Sequence, residues 1–327
     1  MRSPLLAAIT LLLFGCASAP PPAAHPLLLV VNQGSKTLSF VDASTLTVLG
    51  SIPVSPAPHE LAVSEDGRTA YVSLYGDRET VGDSIAVIDV ATRRETGRLS
   101  LAPHKRPHGL VVRGGQLFAT SETSKVAVRL DRTTGAIGWT GNTGAAGSHM
   151  IALNADATRL YSGNIGADSV SVIDVGSGTT ANASQEIKVG KGPEGIALTP
   201  DGFEVWAAHR GGGGVSVIDT RTGTVVATLL PEVVSARVAI SPDGRRVLLF
   251  DMPSGSTIVL DRATRKELGR IAMGGMPGGG IIAADNRTAY VSVYQPFSVA
   301  RIDLEIMKIT GNVDTGIAPD GMALVTP

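Results

Sequence analysis

Three of the six histidines stand in one local frame. Pro58-His59-Glu60-Leu61, Pro107-His108-Gly109-Leu110 and Ser148-His149-Met150-Ile151 each place the imidazole just ahead of a short apolar run. The frame recurs with a carboxylate in Pro193-Glu194-Gly195-Ile196 and Pro319-Asp320-Gly321-Met322, and with little side chain at Ala236 and Gly278. Neutral imidazoles with a carboxylate form a ligand set that Zn²⁺ or Cu²⁺ prefers. His59, His108, His149 and Glu194 are therefore candidate metal ligands. Without an ion, the same residues make a polar site whose charge changes near neutral pH.

The elements that must position these residues repeat along the chain. An aspartate closes an alternating apolar run at Asp42, Asp89, Asp131, Asp174, Asp219, Asp261 and Asp303, at spacings of 47, 42, 43, 45, 42 and 42 residues. Between them lie turn segments such as Ser64-Glu65-Asp66-Gly67, Thr199-Pro200-Asp201-Gly202 and Ser241-Pro242-Asp243-Gly244, built from residues that favour turns. The intervening runs are short, β-branched and alternating, which is strand periodicity with no useful helical stripe. A period of 40 to 45 residues with four short strands is that of a propeller blade. The spacing predicts an all-β fold, a single seven-bladed β-propeller over residues 27–327. Its last strand, near 320–326, should complete the N-terminal blade and close the ring.

Val31-Asn32-Gln33-Gly34-Ser35-Lys36-Thr37-Leu38-Ser39-Phe40-Val41-Asp42 resembles the YVTN repeat, and the same register recurs across nearly all of the chain beyond the leader. The resemblance implies a bacterial seven-bladed propeller related in fold to d1-haem and lactonase-type propellers. Such rings bind d1 haem, carry copper clusters, hydrolyse lactones or only bind partners, so the fold leaves function open. In this architecture His59, His108, His149, Glu194 and Asp320 meet at one mouth of the central channel. A second set stands ten residues before each marker aspartate: Asn32, Ser121, Asn164, His209, Asp251 and Val293, with Leu74 as the counterpart before a longer loop. Asn164, His209 and Asp251 are expected at the same mouth, with His209 and Asp251 as a supporting pair beside Glu194.

Other candidates carry less. Arg210-Gly211-Gly212-Gly213-Gly214 could cradle an anion but lacks the Gly-Lys-Ser/Thr of a P-loop and precedes a strand. His104-Lys105-Arg106 is a small basic cluster just before His108. There is no Gly-x-Ser-x-Gly elbow and no His-Glu-x-x-His.

Residues 1–15 read as a lipoprotein signal peptide: Arg2, then an uncharged run from Leu5 to Phe14, then Leu13-Phe14-Gly15-Cys16. The run is too short to span a bilayer, and Leu-Phe-Gly-Cys resembles the bacterial lipobox. Cys16 is thus the expected lipid-attachment site. Residues 16–26 are a Pro/Ala-rich tether, and Ala17 in place of aspartate favours the outer membrane by family analogy. Cys16 is the sole cysteine, so no internal disulfide forms. The formal net charge is −1 and aromatics make up 4%, which argues against a nucleic-acid partner. The first functional expectation is an envelope lipoprotein on the periplasmic side. It binds an envelope protein or small ligand at the channel mouth, without catalysis, and meets the membrane only through its anchor. The second is binding or chaperoning of zinc, copper or a metallocofactor through His59, His108 and His149. The third is a lactonase-type hydrolase using a mouth histidine or carboxylate as general base.

Overall fold

The computed structural model describes residues 25–326, and the expected signal peptide, Cys16 and most of the expected tether lie outside the described residues. The described chain is all β-strand, turn and loop. No described helix is long and apolar enough to cross a membrane.

The repeating aspartates earn their place at turns. Asp42 Oδ1 accepts from the Ser44 and Thr45 amides at 2.9 Å each, and Asp131, Asp219, Asp261 and Asp303 accept from amides in the same way. Each aspartate thereby ends one strand and starts the turn into the outermost one. Asp174 departs from this pattern and instead pairs with Arg159 at 2.9 Å.

The strands form antiparallel four-stranded runs, each from an inner strand to a rim strand. The inner strands are Pro58–Val63, Pro107–Arg113, Ser148–Leu153, Pro193–Leu198, Ser235–Ile240, Met276–Ile282 and Pro319–Val325. Each contacts the next, and Pro319–Val325 returns to Pro58–Val63, so they close a circle. Pro319–Val325 pairs antiparallel with Leu27–Asn32, joining the two chain ends in one sheet. The propeller of the sequence reading is therefore present, and its open edges are removed at the closure.

The sheets number five of four strands and one of eight. The eight-stranded sheet departs from the expected row of separate blades, for a local reason. Rim strand Thr180–Lys188 is longer than its neighbour Ser169–Asp174. Its overhang, Thr180 to Asn182, pairs in parallel with Thr140 to Asn142 of rim strand Ile137–Asn142.

Apolar cores lie between adjacent sheets. Leu29, Val31 and Phe40 of the first sheet pack with Val72, Ala86 and Ile88 of the second. At the closure, Leu28, Val30 and Val41 pack with Tyr290, Val299 and Val313. The middle strands are sandwiched on both faces, as in Glu204–His209, where Val205 to His209 are all buried. Each such aliphatic or aromatic side chain contributes about 1.5–3 kcal/mol when fully buried. Rim strands such as Thr47–Pro53 are exposed or half-buried throughout.

Candidate functional site

The inner strands share one irregularity. Each slips register against its partner at the frame residue: between Pro58 and Leu61, Pro107 and Leu110, Ser148 and Ile151, Pro193 and Gly195, Ser235 and Val238, and Pro277 and Gly279. Pairing of Pro319–Val325 slips at the same place. Such a bulge re-aims side chains and ends regular pairing. It places two consecutive residues, not one, at the channel end. The second position is where sequence reasoning fell short, because it holds Glu60 and Arg237.

Arg237 is the centre of a buried charge cluster. It donates to Glu194 Oε1 at 2.8 Å, to Asp320 Oδ1 at 3.3 Å and to Glu60 Oε1. Burial opposes its charge, but Glu60, Asp320 and Glu194 outweigh burial and hold the guanidinium protonated. Room for it comes from two glycines: a Cβ on Gly195 would lie 2.5 Å from Arg237 Cα, and one on Gly279 would lie 2.9 Å from Arg237 Cγ. Arg210 donates to the other oxygen of Glu194 at 3.0 Å and keeps 55% of its side chain exposed. Burial raises the Tyr294 phenol, and Asp320 adds to the rise.

His59 joins this cluster to an arc of imidazoles. Its Nδ1 lies 2.6 Å from Asp320 Oδ2, although the approach is not aligned as a hydrogen bond along the ring N–H. We read it as a close electrostatic contact, because distance alone satisfies an ion pair. Burial lowers the His59 pKa, yet the carboxylates of Asp320 and Glu60 prevail, so it stands raised. Burial raises Glu60 above the usual carboxylate range, against the pull of Arg237. Asp320 is pushed up by burial but ends lowered by His59 and Arg237.

The His59 and His108 ring centroids are 4.3 Å apart, and those of His108 and His149 are 3.5 Å apart. His108 is 1% exposed. Both of its ring nitrogens, and His149 Nδ1, are buried without a hydrogen-bond partner. Burial and the neighbouring charges hold His108 and His149 well below the ordinary histidine range. Tyr75, expected in a longer loop but placed in strand Thr69–Gly76, sets its ring edge-on against His59 and His108, at 5.2 and 5.5 Å. Its hydroxyl donates to Glu122 Oε2 at 2.9 Å, and burial with Glu122 pushes its pKa up to about 12.

The structure brings His59, His108, His149, Glu194 and Asp320 to one end of the channel, but not as one ligand set. Glu194 is committed to two arginines. His149 lies against His108 with ring centroids 3.5 Å apart and planes tilted by 38°, closer than two rings radiating from a shared ion. The donor atoms that converge are those of His59, Glu60 and His108, all within 4.8 Å of one another.

The second set serves the hairpins. Asn164 Nδ2 donates to Ser169 Oγ at 3.1 Å and Ser171 Oγ at 2.8 Å, and Asn32 does the same to Thr37 and Ser39. His209 Nε2 accepts from the Gly190 amide at 3.2 Å, so Nδ1 carries the proton toward Gly213 O at 3.1 Å. Asp251 accepts from Ser254 Oγ at 2.5 Å. His209 and Asp251 thus hold separate loops and form no pair with each other. In the basic cluster, Lys105 pairs with Asp83, and the Arg106 guanidinium sits 4.8 Å over the Tyr75 ring.

Beside the charge cluster is a cavity of about 310 Å³, bordered by His59, Glu194, Arg210, Arg237, Tyr294 and Asp320. A larger cleft of about 680 Å³ lies by the turns at the opposite ends of the inner strands. Its carboxylates Asp156 and Asp201 are held by Thr158 and by Thr199 and Arg262, and it has no imidazole, whereas the smaller cavity is bordered by His59, Tyr294 and two arginines as well as carboxylates.

Comparison with known proteins agrees with the fold. The model of the YNCE-like β-propeller family matches residues 110–289. Among solved structures, hydrazine synthase of Kuenenia stuttgartiensis superposes with a TM-score of 0.72 at 18% identity, over 89% of this chain and 99% of that one. A functionally unknown protein from Desulfotomaculum acetoxidans gives 0.77 at 14% identity, over 92% and 99%. The dihydro-heme d1 dehydrogenase NirN, in complex with DHE, gives 0.64 at 14% identity, over 88% of this chain and 63% of that one. At these identities the likeness concerns the fold alone. No curated protein matches the sequence.

Proposed function

The chain belongs to the YNCE-like β-propeller family, and from that premise we propose that it is a seven-bladed envelope lipoprotein that binds a small carboxylate-bearing molecule at the channel end. The blade count rests on reading the eight-stranded sheet as two blades bridged at their rims over three residues. The envelope location and the lipid on Cys16 rest on the lipobox-like segment alone.

One observation carries the ligand class. The carboxylates at the cavity are already engaged, Glu194 and Asp320 by Arg237 and His59, whereas Arg210 gives one side-chain hydrogen bond and remains half exposed. A guanidinium has five N–H donors in a fork suited to carboxylates. The cavity therefore offers donors and keeps its acceptors occupied. Its volume stands at the lower end of small-molecule sites, which run from about 300 to 1,000 Å³. A hydrolase needs a general base with an unoccupied acceptor at the cavity; Glu194 and Asp320 are paired there, and the unpartnered imidazoles of His108 and His149 do not border it, which favours binding. The neighbours whose names mention hydrazine synthesis and a heme d1 reaction lend the ring, not their ligands.

Calorimetric titration with a panel of mono- and dicarboxylates tests this. Binding by the wild type, weakened at least about tenfold in Arg210→Ala as expected for loss of a charge-assisted hydrogen bond, supports the reading. Absence of binding at millimolar concentration, or equal affinity in the variant, overturns it.

A further inference from the structure

We infer that His59, Glu60 and His108 form a binding site for one divalent transition-metal ion of the zinc or copper class. The site is distinct from the carboxylate cavity and adjoins it through His59 and Asp320.

Four observations converge. The donor atoms of the three residues lie within 4.8 Å of one another, so small side-chain rotations bring all three onto one ion at ordinary ligand distances. His108 is buried with both ring nitrogens unpartnered, and a buried polar atom without a partner costs about 1–3 kcal/mol. An ion on one nitrogen removes half of that cost. Asp320 stands 2.6 Å from His59 Nδ1, which favours the proton there and leaves Nε2 with its lone pair. A carboxylate behind a metal-bound imidazole commonly fixes a ligand in this manner. Arg237 meets Glu60 through Oε1, and the second oxygen remains available to an ion.

The surroundings hold these donors in place. Tyr75 packs edge-on against both imidazoles and is itself tied to Glu122. His149 covers the other face of His108 at 3.5 Å and acts as a positioning residue. Two imidazoles and one carboxylate are a set on which zinc keeps a further position for water or an exchangeable ligand. Softer thiolate chemistry is excluded, because the one cysteine is Cys16. Imidazole donors favour zinc, copper or nickel over magnesium and calcium.

The test is calorimetric titration of the full chain, purified without a histidine tag and stripped with chelator, using Zn²⁺ and Cu²⁺. The wild type is expected to bind one ion per chain. His108→Ala should weaken binding at least about 100-fold, since a ligand is lost outright. Glu60→Gln keeps the shape and should cost about tenfold or more. Melting curves of the ion-free variants establish that each is folded, and if His108→Ala unfolds, Glu60→Gln carries the test. No ion bound by the wild type, or wild-type affinity in His108→Ala or in Glu60→Gln, overturns the site. Arg210→Ala separates the two readings: it should disturb carboxylate binding and leave the ion in place, whereas His108→Ala should do the reverse.

Discussion

On one side of the channel end, Arg237 gathers Glu60, Glu194 and Asp320 into a cluster whose charges answer one another. On the other, His108 and His149 bury imidazole nitrogens that meet no protein group. Both arcs are built from the same bulge of the same repeat. The charged arc spends its polar atoms on itself and gains rigidity. The imidazole arc leaves polar atoms unspent, which is costly in a dry interior and is the condition under which a ligand gains most by arriving. His59 belongs to both, with Asp320 on one side of its ring and His108 on the other.

The sharpest way to break the charged arc is to remove its cation. Arg237→Met leaves buried Glu60 without a cation, and Glu194 and Asp320 with only Arg210 and His59, and should destabilise the protein by about 3–5 kcal/mol. Denaturant unfolding measures this, and a loss below about 1 kcal/mol would mean that the cluster is wet and loosely coupled.

Acid should separate the arcs by sign. His108 and His149 have folded pKa values below the ordinary 6.5. Their contribution is complete above 6.5 and is lost as pH falls from there toward the folded values. His59 is raised, so its contribution is complete below 6.5 and is lost as pH rises through its folded value. His59 adds no slope below 6.5, while Glu60, raised by burial, takes up protons there and opposes in part; with two imidazoles against one carboxyl, the ion-free protein should lose stability between about pH 6.5 and 5. His149→Phe should flatten that slope. Melting temperatures across this range check it, and a wild-type profile that is flat or rises on acidification contradicts the assignment.

The smallest effect concerns the support behind the imidazoles. Glu122→Gln removes a charge from beside Tyr75, whose pKa of about 12 owes its largest share to burial and the next to Glu122. The phenol should titrate lower in the variant while staying above the ordinary 10, as followed by ultraviolet difference spectroscopy. An unchanged titration would show that burial alone sets it.

The ring was legible in the sequence because its markers have local causes. Asp42 and its counterparts other than Asp174 recur since they bind the amides of a turn, and the apolar runs between them are read directly as strands. Closure by Pro319–Val325 was legible from the surplus inner strand at the end. The frame residues were legible as a column, but the bulge was not, since two residues opposing one leaves no trace in spacing. Arg237 was hidden behind Ala236 for that reason, and Glu60 behind His59. A weak signal existed: the residue after the frame position is glycine at Gly109, Gly195, Gly279 and Gly321, and Glu60, Met150 and Arg237 break that habit, two of them with a charge. The roles of Asn164, His209 and Asp251 were misplaced because hairpin hydrogen bonds and channel groups use the same residue types. The parallel rim pairing escaped notice because nothing in Thr180 to Asn182 distinguishes an overhang from a loop.

The difference between the arcs is tested most directly by anomalous scattering at the zinc edge from crystals grown with zinc. The account expects one peak about 2.0–2.1 Å from nitrogens of His59 and His108, with Glu60 as the oxygen ligand and Arg237 still holding Glu194 and Asp320. A peak on Glu194 or Asp320 with Arg237 displaced, or no peak among the imidazoles, would contradict it.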